Sequence, residues 1–152
     1  MVGVTIHRRI FHYIGNKILP LKMRWEIRGK SEDEITKYCC NICLANNVVL
    51  RSRMLSREIQ SCWKCKSSLR RRSVVNALSI GLFGKGLKVK HFPRDSRRGD
   101  GLSDDKKVTR RLSKYLNYQN TFYHKDPILD LHNIDNKQKG EFDFIVCSEV
   151  LE

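Results

Sequence analysis

Isoleucine recurs every fourth residue at the start of the chain, at Ile6, Ile10, Ile14 and Ile18. Phe11 lies beside this stripe, with Arg8, Arg9 and Lys17 elsewhere on the wheel. The spacing predicts a basic amphipathic helix that stops near Pro20. Its apolar face suits docking on the rest of the fold; a membrane-surface helix and a mitochondrial transit peptide share the same pattern. Residues 26–38 are polar and acidic and read as a connector. Val48-Val49-Leu50 and then Met54-Leu55 are short strand candidates. Val74, Val75, Leu78 and Leu82 give the apolar face of a helix that Ser73 can cap and that Gly84 and Gly86 would end. Residues 87–100 are basic, polar and broken by Pro93, and read as a linker. Beyond them, Ser103 followed by Asp104 and Asp105 predicts a helix N-cap with acids in the first turn. Val108, Leu112 and Leu116 form that helix's stripe. Tyr118–Tyr123, Ile128–Leu131 and Phe142–Cys147 are strand candidates, the last with the strongest buried character. Loop, helix and three strands in succession predict the opening of an α/β sheet.

Charge divides the chain near the same place. Residues 1–100 carry 22 Lys+Arg against 7 Asp+Glu, a balance of +15, whereas residues 101–152 balance at −1, giving the net +14. A basic module and a near-neutral one have different uses, and the basic one is an electrostatic footprint for nucleic acid or anionic lipid. The expected division is a basic N-terminal helix and connector (1–38), a paired-cysteine module (39–72), a helix with a basic linker (73–98) and an α/β segment (99–152). No stretch approaches the ~18 consecutive apolar residues of a spanning helix. No apolar signal segment opens the chain, and six cysteines without an export signal point to a reducing, cytoplasmic setting.

Four of those cysteines form two pairs, Cys40-x-x-Cys43 and Cys62-x-x-Cys65, separated by 18 residues. This spacing matches a structural zinc site. Two sulfurs at i and i+3 of a tight turn face one ion, and two such turns close a tetrahedral shell without an open position for water. The metal then replaces a core that so small a module lacks. Cys39 adjoins the first pair and competes with Cys40 for the ligand role. Cys147, inside a core-strand candidate, reads as a packed thiol.

Four stretches together resemble a known family. They are the two cysteine pairs followed by Ser67-Ser68-Leu69-Arg70-Arg71; Gly99-Asp100-Gly101-Leu102-Ser103-Asp104; Tyr118-Gln119-Asn120-Thr121-Phe122-Tyr123-His124, running through Asp126-Pro127 to Leu129-Asp130-Leu131; and Phe142–Glu152. In this order they resemble class I S-adenosylmethionine-dependent methyltransferases, in a branch with an N-terminal paired-cysteine zinc-binding module. The likeness covers roughly residues 38–152. It implies an α+β zinc-ribbon-like module followed by an incomplete α/β Rossmann-like segment, the N-terminal portion of an enzyme whose sheet continues beyond Glu152 or is completed by a partner chain. It implies that the loop of Gly99 and Gly101, opening at Ser103 and Asp104 into a helix N-terminus, holds the cofactor carboxylate. It places Tyr123 beside the ribose, Asp126 or Asp130 on hydroxyl or adenine amino groups, and Ser148 and Glu149 at the ligand-binding end of the last strand. The sulfonium carries the reactivity of methyl transfer, so positioning rather than a catalytic triad is expected, and no catalytic residue is assigned.

The methyl acceptor, a small molecule or a glycan-type compound, is not specified by these residues. A second function class fits the charge alone: a non-enzymatic zinc-ribbon protein that binds nucleic acid through its basic first 100 residues.

Overall fold

A computed structural model describes residues 20–130, 132–134 and 139–147. The expected helix at residues 6–18 therefore lies outside the described residues, as do Ser148 and Glu149. Helix α1 (Leu21–Glu26) leads to a single 3-10 turn at Glu32–Glu34 and then to the antiparallel strands β1 (Ile35–Cys39) and β2 (Asn46–Leu50). The connector expected over 26–38 thus ends in a strand. Ile35, Val48 and Val49 are buried against Met23 and Ile27 of the first helical turn region, a small apolar cluster. Met54 and Leu55 belong to a short helix, α2 (Arg51–Leu55), rather than to a strand.

Helix α3 (Leu69–Phe83) starts five residues earlier than Ser73 would place it. Ser68 is the cap, its hydroxyl accepting from the Arg71 N–H at 3.5 Å. The earlier start puts Arg72, Val75 and Ser79 on the buried face, with Val74, Leu78 and Leu82 half-buried beside them. Gly84 ends the helix in a left-handed conformation at φ 70°, as a C-terminal glycine does without steric cost.

The stretch read as a linker over 87–100 contains a 3-10 turn at Val89–His91 and most of the central strand, β3 (Asp95–Leu102). From it the chain crosses through α4 (Lys106–Leu112) to β4 (Leu116–Thr121), parallel to β3, and later returns on the other side of β3 as β5 (Phe144–Cys147), also parallel. The sheet order is β4-β3-β5. Of the Ile128–Leu131 strand candidate, only a single bridge from Ile128 to Phe122 forms.

Gly99 and Gly101 lie inside β3, not in a loop. A Cβ on Gly99 would sit 2.0 Å from the Phe144 ring, and one on Gly101 would sit 2.3 Å from the Tyr118 hydroxyl. The absent side chains let Tyr118 and Phe144, stacked with centroids 6.1 Å apart, fold over the central strand. Cys40, Ile42, Cys62 and Cys65 share one buried cluster with Val75, Val89, Leu112, Tyr118 and Val146. The cysteine module and the parallel sheet therefore pack on a common interior. No helix among the described residues is long and apolar enough to cross a membrane.

Candidate functional site

The two cysteine pairs form two turns of the same construction. Cys40–Ala45 is the loop of the β1–β2 hairpin, and Cys62–Ser67 joins α2 to α3. In the first, the Leu44 N–H donates to the Cys40 carbonyl at 2.9 Å, and the Cys40 N–H donates to Ala45 at 2.9 Å. In the second, Lys66 donates to Cys62 at 2.9 Å and Cys62 to Ser67 at 3.1 Å. The residue after each second cysteine turns left-handed, Leu44 at φ 62° and Lys66 at φ 61°. Buried Asn47 locks the turns together: its side-chain amide donates to Ala45 at 2.7 Å, and its oxygen accepts from the Trp63 N–H at 3.0 Å.

The turns bring all four sulfurs within 4.8 Å of one another. Cys40 and Cys65 are 3.7 Å apart, and Cys43 and Cys62 are 3.5 Å apart. Those separations are far beyond a disulfide bond. They match the sulfur–sulfur edge of about 3.8 Å in a tetrahedron with zinc–sulfur bonds of about 2.3 Å. The arrangement fits a structural zinc with no open position. The crowded sulfurs share their protons unequally: hydrogen bonds from Cys43, Cys62 and Cys65 pull the Cys40 thiol below the ordinary range, while hydrogen bonds with Cys40 push the Cys43 and Cys62 thiols above it. Cys39 lies outside the cluster, so Cys40 rather than Cys39 is positioned with the other three sulfurs. Cys147 is a half-buried free thiol on β5.

Around the sulfurs, Ser67 Oγ stands 3.2 Å from Cys65 Sγ and 3.6 Å from Cys40 Sγ. Arg72 donates to the Ser67 carbonyl at 2.9 Å and to the Ser61 hydroxyl at 2.8 Å. Its guanidinium carbon lies 4.6 Å from the Tyr38 ring centroid. Nothing in the hydrophobic pattern marked Arg72, because it reads as one member of a basic run.

A second concavity, of about 400 Å³, opens at the C-terminal ends of β3 and β4. Ser103, Asp104, Lys106, Phe122, Tyr123, His124 and Lys125 line it. Ser103 is not the helix cap. It sits at φ 58° between β3 and α4, and Asp105 caps α4 by accepting from the Lys107 and Val108 N–H groups at 2.9 and 3.3 Å. Asn120 clamps the backbone of Asp104, accepting from its N–H at 2.9 Å and donating to its carbonyl at 3.0 Å. The Tyr118 hydroxyl donates to the Asp104 carboxylate. Burial, with the Asp104 charge beside it, pushes the Tyr118 phenol up. Tyr123 and His124 meet edge-on with centroids 4.5 Å apart, and Lys125 Nζ lies 3.9 Å from the Phe122 ring centroid.

Of the residues expected at a cofactor site, Ser103, Asp104 and Tyr123 meet at this concavity. Gly99 and Gly101 do not line it, because Phe144, Tyr118 and Asp104 occupy the space above them. Asp126 is exposed and Asp130 accepts locally from the His132 N–H at 2.9 Å; neither lines the concavity. The composition signal missed Lys106 and Phe122, which pattern alone assigns to a helix surface and a strand.

Comparison with protein families, with characterised proteins and with solved structures finds no match to this chain. These comparisons add no support to the resemblance to methyltransferases.

Proposed function

We propose that the chain is the zinc-stapled, cofactor-binding part of an S-adenosylmethionine-dependent methyltransferase. One observation carries this reading: the concavity at the C-terminal ends of the parallel strands β3 and β4, β3 being the central strand with β4 on one side and β5 on the other. In open parallel sheets that position is where ligands bind. Its lining suits this cofactor. The Phe122 and Tyr123 rings and the Asp104 carboxylate are favourable neighbours for a sulfonium, and Lys106 and Lys125 suit a carboxylate.

The Rossmann-like reading of residues 99–152 is supported by the β3-α4-β4 crossover and by the return of β5 to the other side of β3. The cofactor, when bound, supplies an activated methyl group. The chain's residues supply the rest: backbone around Ser103 and Asp104 orients the methionyl end, and Tyr123 packs beside the ribose. Rigid placement of these groups by Asn120 and Tyr118 serves a reaction that depends on positioning.

Calorimetry of the full chain with S-adenosylmethionine tests the proposal. One-site binding, weakened about 5- to 30-fold in Tyr123→Ala, is expected for loss of an aromatic wall worth ~1–2 kcal/mol. Absence of saturable heat overturns it.

A second reading draws on the other end of the molecule. Trp63 is 38% exposed at the tip of the second turn and is followed by exposed Lys64 and Lys66. An aromatic side chain with cations in the same turn suits single-stranded nucleic acid. Binding that falls steeply with salt supports that reading, and no binding at low salt removes it.

A further inference from the structure

Three consecutive arginines begin α3, and they meet different partners. Arg70 pairs with Glu58 at 3.1 Å and Arg71 with Asp105 at 3.1 Å. Arg72 turns inward, with 6% of its surface exposed. Among the described residues no carboxylate pairs with it. Its hydrogen bonds go to Ser67, Ser61 and the Met54 sulfur, the last at 3.2 Å, and Tyr38 covers its face. A buried cation served only by neutral groups is costly, because carbonyls, hydroxyls and an aromatic face recover only part of its lost hydration.

The missing negative charge lies one residue further in. Zinc held by four thiolates carries a net charge of −2, enclosed here by buried Cys40, Cys62 and Cys65. That anionic centre is costly to bury alone for the same reason. Ser61 and Ser67, the two serines bonded to Arg72, flank the Cys62–Cys65 turn. The Ser67 hydroxyl lies 3.4 Å from an Arg72 nitrogen and 3.2 Å from Cys65 Sγ. With Cys65 ionised, that hydroxyl accepts from the guanidinium and turns its own proton to the sulfur.

We propose that Arg72 is the built-in counter-charge of the metal centre, acting on the thiolates through Ser67 and the backbone of the second turn. It is a positioning residue and not a ligand. The inference rests on the zinc reading of the four cysteines and adds to it an electrostatic requirement that the ligand spacing does not contain.

The test is zinc affinity of the full-length chain by chelator competition, together with the rate at which N-ethylmaleimide alkylates the zinc-loaded protein. Arg72→Met keeps the length and apolar stem without the charge, and affinity should fall about 10-fold or more, the usual effect of losing a group that supports metal ligands. Alkylation should accelerate, because sulfurs without the cation are more nucleophilic. Arg72→Lys should restore most of the affinity and slow the alkylation. Wild-type affinity in Arg72→Met overturns the proposal, and so does an Arg72→Lys protein as weak as Arg72→Met. If circular dichroism finds Arg72→Met unfolded, Arg72→Gln decides, since it keeps a polar donor facing Ser61 and Ser67 and removes only the charge: weakened zinc binding supports the proposal and unchanged binding overturns it. A wild-type chain that binds no zinc overturns the metal reading itself, whereas zinc in the wild type with unresponsive variants removes only the role of Arg72.

Discussion

Leu44 and Lys66 occupy the same place in the two cysteine turns, one residue past the second cysteine, with φ of 62° and 61°. Neither is the glycine that a left-handed position ordinarily favours. Each accepts the strain because its N–H must reach back to the first cysteine's carbonyl, which closes the turn around the metal.

At Lys66 the side chain is exposed, so backbone effects dominate the outcome of substitution. Lys66→Gly relieves a left-handed penalty of ~1–2 kcal/mol while adding unfolded-state entropy of roughly 0.5–1 kcal/mol. The variant should be unchanged or slightly more stable. Lys66→Val, branched at Cβ, should lose about 1–2 kcal/mol. Thermal unfolding of the zinc-loaded proteins compares the three.

Cys43→Ser and Cys62→Ser should each abolish stoichiometric zinc and the folded far-ultraviolet signal, and Cys39→Ser should retain both. Metal analysis with circular dichroism reads the contrast. A chelator added to the wild type should reproduce the cysteine variants, because Cys40, Cys62 and Cys65 are part of the main buried cluster and Cys43 packs against it.

Gly99→Ala places a methyl 2.0 Å from the Phe144 ring, far inside contact distance. Overpacking of this kind costs about 1–3 kcal/mol. Urea denaturation should show that loss, and the smaller ring-free side chain in Phe144→Leu should reduce the added cost of Gly99→Ala in the double variant. Additive losses would mean that the ring moves aside freely.

Asp100 is fully buried in the central strand; one carboxylate oxygen accepts from the Thr121 hydroxyl at 2.5 Å and the other has no hydrogen-bond partner among the described residues. Burial pushes its carboxyl above the ordinary range. The folded state therefore keeps its proton at pH values where the unfolded chain, with an ordinary value of about 3.9, has lost it. Asp100's contribution to stability falls as pH rises through that window and stays low above it. Asp100→Asn should gain stability relative to the wild type as pH increases, with the gap closing toward acid. Denaturation of both proteins at matched pH and zinc concentration measures the difference. A constant gap would place the effect in packing rather than ionisation.

Features written in side-chain chemistry were legible in the sequence. The cysteine spacing picked out the four residues whose sulfurs the fold brings together, Gly84 marked the end of α3, and the strand expected over Phe142–Cys147 forms at Phe144–Cys147. The central strand was hidden. Asp95–Leu102 contains four charged residues and two glycines and lacks the apolar alternation of a half-buried strand, so it reads as linker and glycine loop. What makes it a strand is ladder bonding to β4 and β5 on both sides, with its apolar cover borrowed from Tyr118 and Phe144. The caps failed for a related reason. Ser73 and Ser103 are plausible caps by type, but Ser68 and Asp105 have the geometry, and only the tertiary fold decides among neighbouring candidates.

The interior shared by Cys40, Val75, Leu112 and Val146 has a consequence for how the protein fails. Charge changes character near residue 100, yet buried packing runs straight through that point. An oxidant that modifies the four sulfurs, or a chelator that removes a metal held by them, would loosen the floor beneath Tyr118, and with it the anchor of Asp104. Damage at the cysteines would then be felt at the concavity, although no cysteine lines it.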